Sequence, residues 1–296
     1  MGSIMRNQNI SYYYNRLSIA EKLIVFNVAV FIVGGLINLL FALPVNNGVD
    51  RWFRIPKDFF DFLTQPWSLI TYSFFHSGIG HIFWNMIMLY FAGRIFLNLF
   101  DKKRFINVYF LGVIFGGMIF LLSYNIFPAL IGQNTSLIGA SAGVTAVLIF
   151  ICTYLPNQEV RVIFFNIKLW HIGVLVVLMD LIQISLGNNI GGGLAHIGGA
   201  ALGYYYASQL PKGNDIGSWF SNLLDSFRNM FKGKEKKASM KTVYRRESKS
   251  SKTTRSYDKE SRQRKIDAIL DKISKSGYES LSKAEKDFLF KAGKED

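Results

Sequence analysis

Apolar positions run along this chain in long unbroken blocks rather than in the stripes of a soluble domain. Lys22 to Asp50 encloses no charge, nor do Asp61 to Arg94 and Arg104 to Glu159, the last a run of 54 residues. Between Lys168 and Lys212 the one charge is Asp180. About 20 apolar residues cross roughly 30 Å of hydrocarbon as a helix. The pattern therefore predicts six spans: Lys22 to Leu43, His81 to Phe100, Phe105 to Tyr124, Ser141 to Leu155, Leu169 to Leu186 and Leu194 to Leu210. The fourth and sixth are short for a full crossing. Beyond Lys212 the pattern changes: Ile216, Trp219, Phe220, Leu223, Leu224, Phe227 and Phe231 recur as one helix face, expected to lie flat on the inner leaflet.

The expected fold class is thus an all-α polytopic membrane protein with a cytosolic C-terminal tail. Its parts would be an N-terminal segment (1–21), a six-helix membrane body (22–211), an interfacial helix (212–232), a flexible basic linker (233–262) and a small helical module (263–296). The second helix of that module opens with the capping box Ser282 to Glu285.

Composition sharpens this division. Half of the residues are hydrophobic and only 18% charged, which excludes a disordered chain. Of the 54 formal charges, 35 fall in the last 85 residues, so the net +14 describes a basic tail on a nearly uncharged body. Membrane lipids are the expected partner of such a chain and nucleic acid is not. Basic residues gather before span one (Arg6, Arg16, Lys22), between spans two and three (Lys102, Lys103, Arg104) and between four and five (Arg161, Lys168), whereas residues 125–138 and 187–193 carry no charge. The positive-inside rule then puts both termini in the cytosol of a multi-pass protein, with a bacterial inner membrane as the expected setting. The aromatic first loop, from about Pro44 to Gly80, should lie in the membrane interface. Cys152, the one cysteine, excludes an intrachain disulfide.

Polar groups inside a bilayer are costly and mark function. Ser141, His196, His81 and Asn85 stand out. Ser141 lies 15 residues from Pro156 and His196 15 from Pro211, each roughly 22 Å above the inner face at 1.5 Å per residue. Asn85 lies 16 residues from Asp101, at about the same level, with His81 one turn higher. A serine needs a neighbouring base to become a nucleophile, and neutral imidazole is the usual one near pH 7. Asn85, His81 and the Ser141 backbone N–H could hold an oxyanion. Gly199 and Gly203 form a small-xxx-small face for close approach of spans six and four. His76 and His171 are expected at the interface. Asp180 comes near the same level; a third catalytic member is conceivable there, with a structural or gating role favoured.

Pro66-Trp67, Phe75-His76, His81 with Asn85, the motif from Gly139 through Ser141 to Gly143, and Ala195-His196-Ile197-Gly198-Gly199 with Gly203 together resemble the rhomboid intramembrane serine proteases over about residues 15–210. The resemblance implies a six-helix bundle, a Ser141/His196 dyad, an oxyanion site near His81 and Asn85, and cleavage of transmembrane protein substrates close to the outer end of their helices. It implies no cofactor and no metal. Many relatives have a Glu after the glycine near the end of span two, whereas Gly93 to Asn98 holds no acid.

Competing classes fare less well. An intramembrane aspartyl protease needs two buried acids, and a zinc protease needs H-E-x-x-H, which neither His76 nor His81 begins. A catalytically silent substrate-binding protein or transporter is the alternative, since a polar intramembrane cavity suits either. A lipid-modifying acyltransferase could use the same nucleophile. Sequence leaves the oligomeric state open.

Overall fold

The computed structural model describes residues 10–43, 48–162, 164–231 and 252–292. Residues 233–251, most of the expected linker, lie outside the described residues. The chain divides into two compact units, Met1–Gly233 and Lys234–Asp296.

In the first unit, α1 (Ile10–Arg16) precedes α2 (Ile19–Leu40), which starts at a capping box: Ser18 accepts from Glu21 N–H, and Glu21 accepts from Ser18 N–H at 2.7 Å. The first loop carries β1 (Ile55–Pro56), α3 (Phe59–Thr64) and α4 (Ser68–Thr71). Then come α5 (Ile79–Leu99), α6 (Lys102–Ile126), α7 (Pro128–Ile131), β2 (Ser136–Leu137) and α8 (Ser141–Tyr154). A β3–β4 hairpin (Glu159–Val162, Phe165–Lys168) leads to α9 (Leu169–Ser185), α10 (Ile190–Gln209) and α11 (Ser218–Phe231). By length and composition α2, α5 and α6 can each cross a membrane, while α8 and α9 are shorter apolar helices.

α8 is the axis of the unit: every residue from Ala142 to Cys152 is buried. Helices α6 and α10 reach it through glycines. A Cβ at Gly199 or Gly203 would stand 2.2 Å from the carbonyl oxygen of Ala142 or Ala146, and one at Gly112 2.3 Å from the Ala146 methyl. This is small-residue packing, which brings backbones together where lipid offers no hydrophobic drive between helices. A Gly199→Val chain is therefore expected to lose about 3 kcal/mol, the upper end of ordinary overpacking costs, because the obstructing atom is backbone. Thermal unfolding in detergent measures this, with Gly35→Ala, a site open to 4 Å, as the near-neutral control. The outer helices show the opposite face: Phe26, Ile32 and Leu36 on α2, and Leu175, Leu178 and Ile182 on α9, are exposed, as side chains that meet lipid must be.

The structure departs from the expected boundaries at three places. The sixth helix begins at Ile190, not Leu194, and is 20 residues long. Gly191, Gly192 and Gly193 look like loop in sequence, yet Gly191 and Gly193 are the points where α10 meets Phe120 and Ile184. The first loop is a folded element: Gln65 Nε2 donates to Arg54 O, Trp67 Nε1 to Trp52 O and Thr71 Oγ1 to Phe53 O. β1 pairs antiparallel with β2, placing Ile55 opposite Leu137, with Ile55 fully buried. Finally, α11 is docked rather than only laid on a surface. Phe220 is buried, Ser221 Oγ donates to Asn107 Oδ1, and Asp215 ahead of the helix binds Arg104 at 2.9 Å, while Trp219, Leu223 and Phe227 stay exposed.

The second unit pairs α12 (Lys252–Ser276) with α13 (Lys283–Ala292) around buried Ile269 and Leu281. Its helix starts inside the stretch expected to be linker. The Ser282 to Glu285 capping box forms, and Lys272 adds an ion pair to Glu285 at 3.0 Å. These bonds to its charged form hold the Glu285 carboxyl down at about 2.

Candidate active site

One cavity of about 770 Å³ is lined by Ser141, His196, His81, Asn85, Asp180 and Gln183, among residues of α5, α8, α9, α10 and β2. The four polar groups singled out in the sequence thus share one space. A rise of about 1.5 Å per residue along α8, α10 and α5 is consistent with that shared lining.

Ser141 is the first residue of α8, where backbone N–H groups are left without helical partners. The turn before it depends on Gly139, at φ +125°, whose N–H donates to Tyr72 O. That glycine also makes room for a neighbour: a Cβ on it would lie 2.7 Å from His81 Nε2. Gly143, one turn along, packs against Tyr109 and Val113.

His81 receives Ser77 N–H on Nδ1 at 3.4 Å and meets Ser77 Oγ at 3.0 Å. An imidazole accepting on Nδ1 carries its proton on Nε2 when neutral, so His81 presents a donor beside Gly139. Asn85 is buried and donates one amide hydrogen to His81 O at 2.9 Å, leaving the second for the cavity it lines. His196 is set the other way. Its Nδ1 lies 2.8 Å from Asp180 Oδ1, so Nδ1–H donates to the carboxylate and Nε2 holds a lone pair. No hydrogen bond joins Ser141 Oγ to His196 among the described residues. Contacts of this kind are often long without substrate and tighten only when it binds.

Asp180, a conceivable third catalytic member with a structural or gating role favoured, is buried against the imidazole, a contact compatible with either role. One residue sits differently from expectation. His76, expected at the interface, is buried, and its Nε2 accepts the N–H of Ala140, the residue before Ser141. His171 remains exposed, stacked on Trp170.

Burial and the nearby His81 push His76 down to about 4 from an ordinary 6.5. The unfolded chain then takes up a proton below pH 6.5 that the folded chain refuses until about pH 4. The stability from neutral His76 is therefore present above 6.5 and lost as pH falls towards 4. The melting temperature should drop across that window, and the drop should be smaller in His76→Gln.

A family model described as the Rhomboid domain matches residues 63–212, and one described as a family of unknown function, DUF6576, matches residues 255–292. Among curated proteins, RHOMBOID-like protein 12, mitochondrial, of Arabidopsis thaliana is 30% identical over 203 residues, 64% of this chain and 58% of that protein. Presenilin-associated rhomboid-like protein A, mitochondrial, of Danio rerio is 25% identical over 48% of this chain and 37% of its own length. The Homo sapiens presenilin-associated rhomboid-like protein, mitochondrial, is 26% identical over 49% and 38%. The chain thus spans little more than half of the plant protein and well under half of the other two. All three are named as mitochondrial, which lends nothing to the expected bacterial inner membrane. Its glycine-packed helices and a Rhomboid match covering half its length make this chain an integral membrane protein belonging to the rhomboid family, whose members are generally intramembrane proteases.

Proposed function

We propose that this chain is an intramembrane serine endopeptidase that cuts transmembrane protein substrates near the outer end of their helices. The observation that carries the reading is the shared cavity, lined both by a serine at a helix start and by a histidine whose Nδ1 is held by a carboxylate. In the proposed reaction Ser141 Oγ attacks the scissile carbonyl carbon as His196 Nε2 takes its proton. The oxyanion accepts from His81 Nε2–H, Asn85 Nδ2–H and the Ser141 backbone N–H. His196 then gives its proton to the departing amine, and a water activated by the same nitrogen releases the acyl group.

Helices α2, α5, α6, α8, α9 and α10 would form the six-span bundle, with both termini on one side of the membrane. α8, with 14 residues, covers only about 21 Å of a 30 Å hydrocarbon layer, so water can stand above Ser141. Lipid would meet the exposed apolar faces of α2 and α9.

The polar cavity itself suits a second reading, a catalytically silent substrate-binding protein or transporter. Incubation with a fluorophosphonate probe separates the two. Covalent labelling at Ser141 supports an activated serine, and unreactive but folded protein favours binding alone.

A further inference from the structure

A second cavity, of about 620 Å³, adjoins the first: Thr135 and Ser136 line both. Its wall is polar and carries three basic side chains, Arg51, Arg54 and Lys57, against one acid, Asp61. The wall is also preformed, because the β1–β2 pairing and the bonds from Gln65 and Trp67 to backbone hold the first loop in place.

The other acids of this loop are already engaged. Asp50 pairs with Arg54 through Nη2, and Asp58 caps α3 by accepting from Phe60 N–H and Asp61 N–H. Lys57 Nζ donates to a neutral acceptor, Ile131 O, at 2.8 Å, so that bond leaves its charge unbalanced. Arg54 Nε is buried and has no hydrogen-bond partner among the described residues. Arg54 is otherwise spent inside the loop, on Asp50 and on Ser136 Oγ at 3.4 Å, which leaves Lys57 as the cation set to receive an anion.

We propose that this cavity receives the extramembrane flank of the substrate polypeptide and selects acidic side chains there. The inference rests on the reading of Ser141 as the nucleophile. Ser136 lies five residues before Ser141, so a substrate strand running along residues 135–137 passes from one cavity into the other. A carboxylate standing in the cavity can take the Lys57 ammonium, whose one hydrogen bond goes to a neutral carbonyl.

Binding can be measured without turnover. Full-length Ser141→Ala protein in nanodiscs is titrated with fluorescent transmembrane peptides of one Leu/Ala core, flanked at both ends by Asp-Glu, Asn-Gln or Lys-Lys. The acidic peptide should bind about tenfold more tightly than the lysine peptide, the size of one charge-assisted hydrogen bond. The gap should narrow in high salt and shrink or reverse in Lys57→Glu. Equal affinities, no binding by any peptide, or a preference that survives Lys57→Glu each overturn the proposal. The nucleophile reading fails separately, by unlabelled wild-type Ser141 in the fluorophosphonate assay.

Discussion

Ser141→Ala and His196→Ala are each expected to bring cleavage of a transmembrane reporter down to background, a loss of about 10⁴-fold or more, in protein that remains folded and membrane-inserted. Neither change should disturb the packing. Ser141 and His196 are both only partly buried on the cavity wall, while the contacts that hold α8 and α10 together run through Gly199, Gly203, Ala142 and Ala146. The two residues would act as one unit, since an imidazole without the hydroxyl has nothing to activate and a hydroxyl without the imidazole keeps its proton. The double variant should therefore be no slower than either single one. Site-resolved cleavage in reconstituted vesicles is the measurement. Turnover by Ser141→Ala near the wild-type rate would end the serine mechanism and leave the cavity as a binding site.

Sequence shows much of this site because helices convert residue number into height. The 15-residue counts to Pro156 and Pro211 needed no knowledge of packing to bring Ser141 and His196 to one level. Contacts between elements are different. Nothing local to Asp180 announces His196, and nothing local to His76 announces the Ala140 N–H, because each pairing depends on how two helices or a loop and a helix are rotated. The Gly112/Gly116 face of α6 was readable, having the same i, i+4 spacing as Gly199/Gly203, and it reaches Ala146 and Ala195. The glycines at 191–193 mislead for a related reason: helix propensity disfavours them, but close packing against Phe120 and Ile184 outweighs it. Two-residue strands such as β1 and β2 have no period to read at all.

Asp180 offers the second large effect. Its carboxylate accepts the hydrogen bond of His196 Nδ1–H, which leaves the lone pair on Nε2, the nitrogen a base must present. In Asp180→Asn the amide can turn its own N–H towards Nδ1 and stabilise the opposite tautomer, with the proton on Nε2. Ser141 then has no acceptor for its proton. Loss of the acid in serine-protease triads costs about 10⁴-fold in kcat. With an imidazole also held by the α10 backbone, a fall of about 10²- to 10⁴-fold in kcat is expected here, with KM within about twofold and fluorophosphonate labelling slowed in parallel. Asp180→Glu, which keeps the acceptor but lengthens the side chain, should recover part of the rate. A purely structural Asp180 would instead lower the melting temperature and leave the labelling rate of the folded fraction unchanged. Asp180→Asn protein that labels within about threefold of wild type would show that Ser141 and His196 suffice, and that the 2.8 Å contact only packs α9 against α10.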